Sequence, residues 1–199
     1  MLFNLCYLAA LIVASPWILF RAIAHGRYRR GVTQKFFGLR PSECGKSSQP
    51  TAWFHAVSVG EVNLLPGVVA AFRRRNPDWR VVVSASTDTG YDLAVTRFAN
   101  LETPVFFCPL DFTWAVRRTL KTINPQLLVL AEFELWPNLV RLANSAGCKC
   151  VVVNARLSEK SVVTYTKASR LLRGTFERLA WVGCQDHDYA ARFIACGTP

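Results

Sequence analysis

The chain has 199 residues, is 51 % hydrophobic, and carries 24 Lys and Arg against 13 Asp and Glu for a net charge of +11. That length buries a real core as one domain plus an appendage, and the charge is unusual for a metabolic enzyme free in solution. Its placement points to a membrane and away from nucleic acid: residues 1–50 hold seven basic residues and the single acid Glu43, +6 of the total, directly behind an uncharged apolar run. Seven cysteines, an odd number without zinc-type spacing, speak for buried reduced thiols in a cytosolic compartment.

Residues 2–20 carry no charge and are just long enough to cross a hydrocarbon core of about 30 Å. Positive charge follows the run, with Arg21 placed to snorkel, and does not precede it as in a cleaved signal peptide. Residues 1–25 are therefore expected to form a membrane-anchor helix, spanning or monotopic, with everything past Arg21 in the cytoplasm. Residues 26–50 read as a basic juxtamembrane segment and a linker rich in turn formers from Pro41 to Pro50. Gly45-Lys46-Ser47 within it is not a phosphate-binding loop, because Arg40 stands where the first glycine is needed and no strand precedes it.

From 51 to 199 strands and helices alternate. The strands expected are 51–58, 81–86, 104–107, 126–131, 149–153 and 180–184, most of them apolar runs of the kind buried on both faces. Helical spacing marks 61–75, 89–99, 112–123, 135–146, 160–179 and 186–196. The pattern predicts an α/β, Rossmann-like, doubly wound parallel sheet. The chain stops at Gly197-Thr198-Pro199, as a fragment would.

The first strand-to-helix turn, Trp53 to Glu61, delivers a carboxylate to a helix start. In open α/β sheets such turns lie where ligands bind, and the N–H groups of a helix start favour an ionised Glu61. Glu61 is then a general base at rest or a helix cap, and the stretch alone favours the cap. The glycine pattern of a nicotinamide site is missing there. At the second strand's end, Ser84 to Gly90, hydroxyls and amides suit sugar or phosphate oxygens, while Thr87 or Asp88 equally suits a cap. Asp111 after the third strand reads as another cap.

After the fourth strand come Glu132, Glu134 and Trp136. Alternation along an extended segment points both carboxylates the same way, at least one toward the cleft, and like charges this close raise one pKa. The bland alternative is two first-turn acids with Trp136 as core filler. Arg156, after the fifth strand, suits equally a phosphate or carboxylate clamp and a partner for Glu132 or Glu134. His25, His55 and His187 share no ligand spacing; His55 reads as a core imidazole and His187 as an exposed helix start. Cys148 and Cys150 read as alternate positions entering a strand, and neither a metal site nor a cofactor is expected.

Together, His55-Ala56-Val57-Ser58-Val59-Gly60-Glu61, Glu132-Phe133-Glu134-Leu135-Trp136-Pro137-Asn138 and Asn154-Ala155-Arg156-Leu157-Ser158 resemble three signature stretches of the 3-deoxy-D-manno-octulosonic acid (Kdo) transferases. The turn from Ser86 to Gly90 and the apolar-then-basic N-terminus fit as well. The resemblance implies the N-terminal domain of a GT-B glycosyltransferase, moving Kdo from CMP-Kdo onto the lipid A precursor (lipid IVA). The place implied is the cytoplasmic face of the Gram-negative inner membrane. It implies Glu61 as general base and Glu132 as the carboxylate that stabilises the transition state, with Ser58, Gly60, Thr87, Gly90 and Arg156 contacting substrate. The chain departs at Phe133, where the family usually has a small hydroxyl residue. It is also about half a family member's length, without the nucleotide-binding half and the family's catalytic lysine, so alone it is expected to be an inactive acceptor-binding half. The rival expectations are a GT-B transferase acting on another envelope lipid and a membrane-tethered, non-catalytic binding module.

Overall fold

The computed structural model describes residues 2–25, 29–45, 47–132, 134 and 136–199. Helices α1 (Leu2–His25), α2 (Val32–Phe37) and α3 (Pro41–Cys44) precede the sheet. Then come β1 (Thr51–Ala56), α4 (Val59–Arg75), β2 (Arg80–Ala85), α5 (Asp88–Phe98), β3 (Val105–Phe107) and α6 (Thr113–Ile123). The second half holds β4 (Leu127–Ala131), α7 (Pro137–Ser145), β5 (Lys149–Ala155), α8 (Glu159–Lys167), α9 (Ser169–Phe176), β6 (Leu179–Cys184) and α10 (His187–Cys196). All strand pairs are parallel, in the order β3-β2-β1-β4-β5-β6. This is the expected Rossmann-like doubly wound sheet. Its order reverses between β1 and β4, and the crevice outside their carboxyl ends is where such sheets bind ligands.

The period of two in the strands divides the core. Trp53, Val82, Phe106, Leu128 and Leu130 point to one face, under α6, α7, α9 and α10. Ala52, Phe54, Val81, Val83 and Val129 point to the other, under α4 and α5. Every residue of β1 is buried, as a central strand covered on both faces requires.

Two stretches differ from the sequence reading. Residues 32–44, inside the segment expected to be juxtamembrane and linker, pack onto the sheet domain. The Gln34 side chain accepts the Phe107 N–H at 2.8 Å and so occupies the open edge of β3. Leu39 is buried, its N–H donates to Thr119 Oγ1 at 3.0 Å, and a Cβ at Gly38 (φ 77°) would lie 2.3 Å from the Ala115 carbonyl oxygen. Pro41 and Gly45, read as turn formers, frame the short α3, whose Cys44 is buried. The helix expected over 160–179 is broken at Ala168 into α8 and α9. Thr164 and Thr166 back-bond to the Lys160 and Val162 carbonyls at 2.9 and 2.8 Å, the contact by which hydroxyls loosen a helix.

Candidate functional site

The site forms at the switch point, from the turns that follow β1 and β4. Ser58 is the N-cap of α4 and accepts the Glu61 N–H at 3.4 Å. The Glu61 carboxylate reaches back to accept the Val57 N–H at 2.6 Å and the Ser58 hydroxyl at 2.9 Å. This is a variant of the capping box, and it holds Glu61 at the carboxyl edge of the sheet with only 6 % of its surface exposed. Ser58 itself is exposed, whereas the carboxylate it binds is buried and not open to a groove as the sequence led one to expect of a base. Two hydrogen bonds leave lone pairs on both carboxylate oxygens.

The expectation that the helix start keeps Glu61 readily ionised is corrected. Burial raises its pKa above the ordinary glutamate value, the bonds from Val57 and Ser58 offset this in part, and the negative charge of Glu132 adds to it. Glu134 is raised too, first by desolvation and then by Glu61. Glu61 thus senses the charge of Glu132, and Glu134 senses that of Glu61.

Glu132 does not lie on an extended segment, so strand alternation does not set its direction. Its φ is 54°, a left-handed conformation uncommon outside glycine. It is held there by its N–H on the Val153 carbonyl at 2.9 Å and by the Asn154 amide on Oε1 at 3.3 Å. Asn154 is itself left-handed (φ 55°) and accepts from the Gln185 side chain. Two adjacent strand ends are thereby strained to present one carboxylate. Asn154 carried no assigned role in the sequence reading; an Asn ending a strand, tolerant of positive φ, was the available signal. Arg156 lies half exposed with Nε 3.8 Å from Glu132 Oε1, which places it as that carboxylate's partner. Phe133 and Leu135 lie outside the described residues, as does Lys46.

Thr87 caps α5, accepting the Gly90 N–H at 3.1 Å, and its hydroxyl donates to the Val57 carbonyl at 3.1 Å. The second turn therefore buttresses the first. A Cβ at Gly90 would stand 2.8 Å from Thr87 Oγ1, so this glycine has a packing reason. Gly60 has none: an added Cβ would meet only Ser58 Oγ, at 3.8 Å, in otherwise open space.

His55 is buried, with Nδ1 2.9 Å from Ser84 Oγ and its ring edge-on to Trp136 at 5.7 Å. Burial lowers its pKa to about 4, so it is a neutral core imidazole. Its Nε2 has no partner among the described residues. His187 opens α10 and is exposed. Asp111 does cap a helix, though not the one it precedes: it accepts the N–H groups of Asn138 and Leu139 at the start of α7, at 2.9 and 2.7 Å. Burial pushes its pKa up to about 6 against those bonds. Its Oδ2 also accepts the Tyr7 hydroxyl of α1 at 3.0 Å. Beside it, an apolar pocket of about 270 Å³ lies between Tyr7, Leu11 and Ala14 of α1 and Leu110, Phe112 and Trp136. Among the described residues no group of three or more His, Cys, Asp or Glu is placed to hold a metal ion.

Known proteins resemble the chain in fold and in sequence. In fold, the sheet is similar to the crystal structure of UDP-GlcNAc 2-epimerase from Neisseria meningitidis bound to UDP-GlcNAc, with a TM-score of 0.52 over 75 % of this chain and 44 % of that one, at 11 % identity. In sequence, the chain is 32 % identical over 198 residues to the 3-deoxy-D-manno-octulosonic acid transferase of Chlamydia muridarum, covering 100 % of itself and 46 % of the relative. It is 33 % identical over 193 residues to that of Chlamydophila psittaci, covering 96 % and 44 %. The chain thus spans about half the length of the curated relatives it matches. Residues 28–199 match the family described as 3-Deoxy-D-manno-octulosonic-acid transferase (kdotransferase), and with both carboxylate turns inside that match the chain belongs to this family of glycosyltransferases.

Proposed function

We propose that the chain is the acceptor-binding half of an inverting Kdo transferase, in which Glu61 is the general base. The acceptor is the lipid A precursor (lipid IVA), the donor is CMP-Kdo, and the place is the cytoplasmic face of the inner membrane. Glu61 removes the proton from an acceptor sugar hydroxyl as its oxygen bonds to the anomeric carbon of Kdo. The bond from that carbon to the CMP phosphate breaks on the opposite side, and CMP leaves with the electron pair. Single displacement inverts the anomeric centre. Glu132 offers negative charge to the electron-poor sugar in the transition state. Arg156 steadies Glu132, and Ser58, Gly60, Thr87 and Gly90 shape the acceptor's approach. Most of the donor site belongs to a second domain, so residues 1–199 alone are expected to bind acceptor without turnover.

The observation that carries this reading is the placing of Glu61 and Glu132 on the turns after the adjacent strands β1 and β4, near enough that the Glu132 charge adds to the burial that raises the Glu61 pKa above the ordinary glutamate value. Glu61→Gln in the full-length enzyme should cut transfer from CMP-Kdo by roughly 100-fold or more while acceptor binding stays close to wild type. Turnover within a few-fold of wild type would remove Glu61 from the mechanism.

A further inference from the structure

Helix α1 is docked on the sheet domain through its first half and keeps one face turned to the domain beyond it. The half-buried positions Phe3, Tyr7, Leu11, Ala14, Ile18 and Ala22 form one stripe at helical spacing. At its start Asn4 exchanges hydrogen bonds with Thr113 and accepts from Asn138, at 2.8 to 3.2 Å, and Tyr7 donates to Asp111. Further on, an apolar groove of about 710 Å³, lined by Leu11, Ile12, Ile18, Leu19 and Ala22, separates the helix from Phe36. The half-buried stripe from Asn4 to Ala22 covers roughly 27 Å at 1.5 Å per residue, nearly the full thickness of a hydrocarbon core, about 30 Å.

A helix docked this way cannot cross a bilayer without taking the neighbouring domain with it. The exposed Arg117 and Arg118 of α6, which begins at Thr113, would enter hydrocarbon, where a charged guanidinium is strongly disfavoured. The opposite stripe of α1 has other chemistry: Leu5, Ile12, Val13, Leu19 and Ile23 are all exposed. We propose that α1 lies flat in one leaflet of an anionic membrane, this outer stripe in the acyl region and its inner stripe still docked on the domain. Asn4 and Tyr7 meet the domain at Asp111, Thr113 and Asn138, beyond the carboxyl ends of β3 and β4. The flat helix therefore holds the Glu61–Glu132 edge of the sheet at the lipid surface. Charge suits the partner, since α6 exposes Arg117, Arg118 and Lys121 with no acid and the whole chain carries +11. The inference rests on the membrane attachment proposed above and fixes its geometry.

Spin labels test it in the full-length protein, bound to vesicles containing phosphatidylglycerol, on a Cys6→Ser background. Leu5→Cys, Ile12→Cys and Ile23→Cys lie within about 20° on one helix face and span roughly 27 Å of its length. A flat helix places all three labels at the same depth, read from their relative access to oxygen and to a water-soluble nickel chelate. A steady gradient of depth, with position 12 deepest or the two ends on opposite sides, would overturn the in-plane geometry while leaving attachment standing. Failure to sediment with the vesicles would remove attachment and the geometry together, without touching the assignment of Glu61.

Discussion

In the proposed mechanism Glu61 serves the fold and the chemistry with one carboxylate, and the two uses pull its pKa in opposite directions. As a cap it is pulled down by the Val57 and Ser58 donors; as a buried group facing Glu132 it is pushed up, and the upward terms win. A carboxyl whose pKa is raised by folding holds its proton more tightly in the folded state, so stability falls as pH rises through that raised value. Glu61→Gln carries no charge at any pH and escapes this loss. Its Tm is expected to exceed wild type by roughly 2–4 °C at pH 8 and to converge with it near pH 4. Melts at the two pH values decide it: an equal offset at both would place the titration elsewhere. Gly60 gives a complementary separation. A glycine in a helical turn costs about 0.5–1 kcal/mol against alanine, and no neighbour requires it here. Gly60→Ala should therefore melt higher yet lose at least about 10-fold in transfer if, as proposed, the acceptor reaches Glu61 through the space that methyl fills. An alanine variant with wild-type kcat/KM would show that space to be unused. Capping by Glu61 and Thr87 was legible because it depends on residues within one turn, whereas the N-cap role of Ser58 was passed over. The left-handed turns at Glu132 and Asn154 were not, because the contacts that stabilise them come from neighbouring strands.

At the scale of elements, the six strands were legible to within a residue or two because each is an apolar run between turn residues, with two covered faces to satisfy. The helices α2 and α3 were not, since six and four residues hold too little periodicity to register and their stability comes from docking on α6 and the edge of β3. The partner of Asp111 was equally hidden: a cap usually serves its own helix, and here it serves α7, 27 residues away. The same long-range logic governs Asn4, which in sequence looks like a polar defect in an apolar helix. In the structure it pairs with Thr113 and Asn138. Asn4→Leu makes α1 more apolar and leaves the Thr113 N–H and the Asn138 amide short of an acceptor, at about 1–3 kcal/mol. The domain should melt lower by roughly 2–10 °C while vesicle binding holds or strengthens. A variant that melts higher would mean the docked contacts contribute nothing.

For the molecule as a whole, the proposed attachment combines two forces with different ranges. The outer stripe of α1 buries apolar surface, an effect that salt does not weaken. The excess of 24 basic over 13 acidic residues attracts an anionic leaflet through a field screened within about 8 Å at physiological ionic strength and about 3 Å at 1 M. The two are separable by salt and lipid. On vesicles containing phosphatidylglycerol, affinity should fall several-fold between 0.1 and 1 M NaCl (~) and then level off, the plateau being the share held by α1. On vesicles of phosphatidylcholine alone, affinity should start near that plateau and change little with salt. Complete release at high salt would mean that the apolar stripe stays out of the leaflet and charge alone holds the protein there. A plateau that disappears when residues 2–25 are deleted, with the salt-dependent part retained, would assign the two forces to α1 and to the basic surface of the sheet domain respectively.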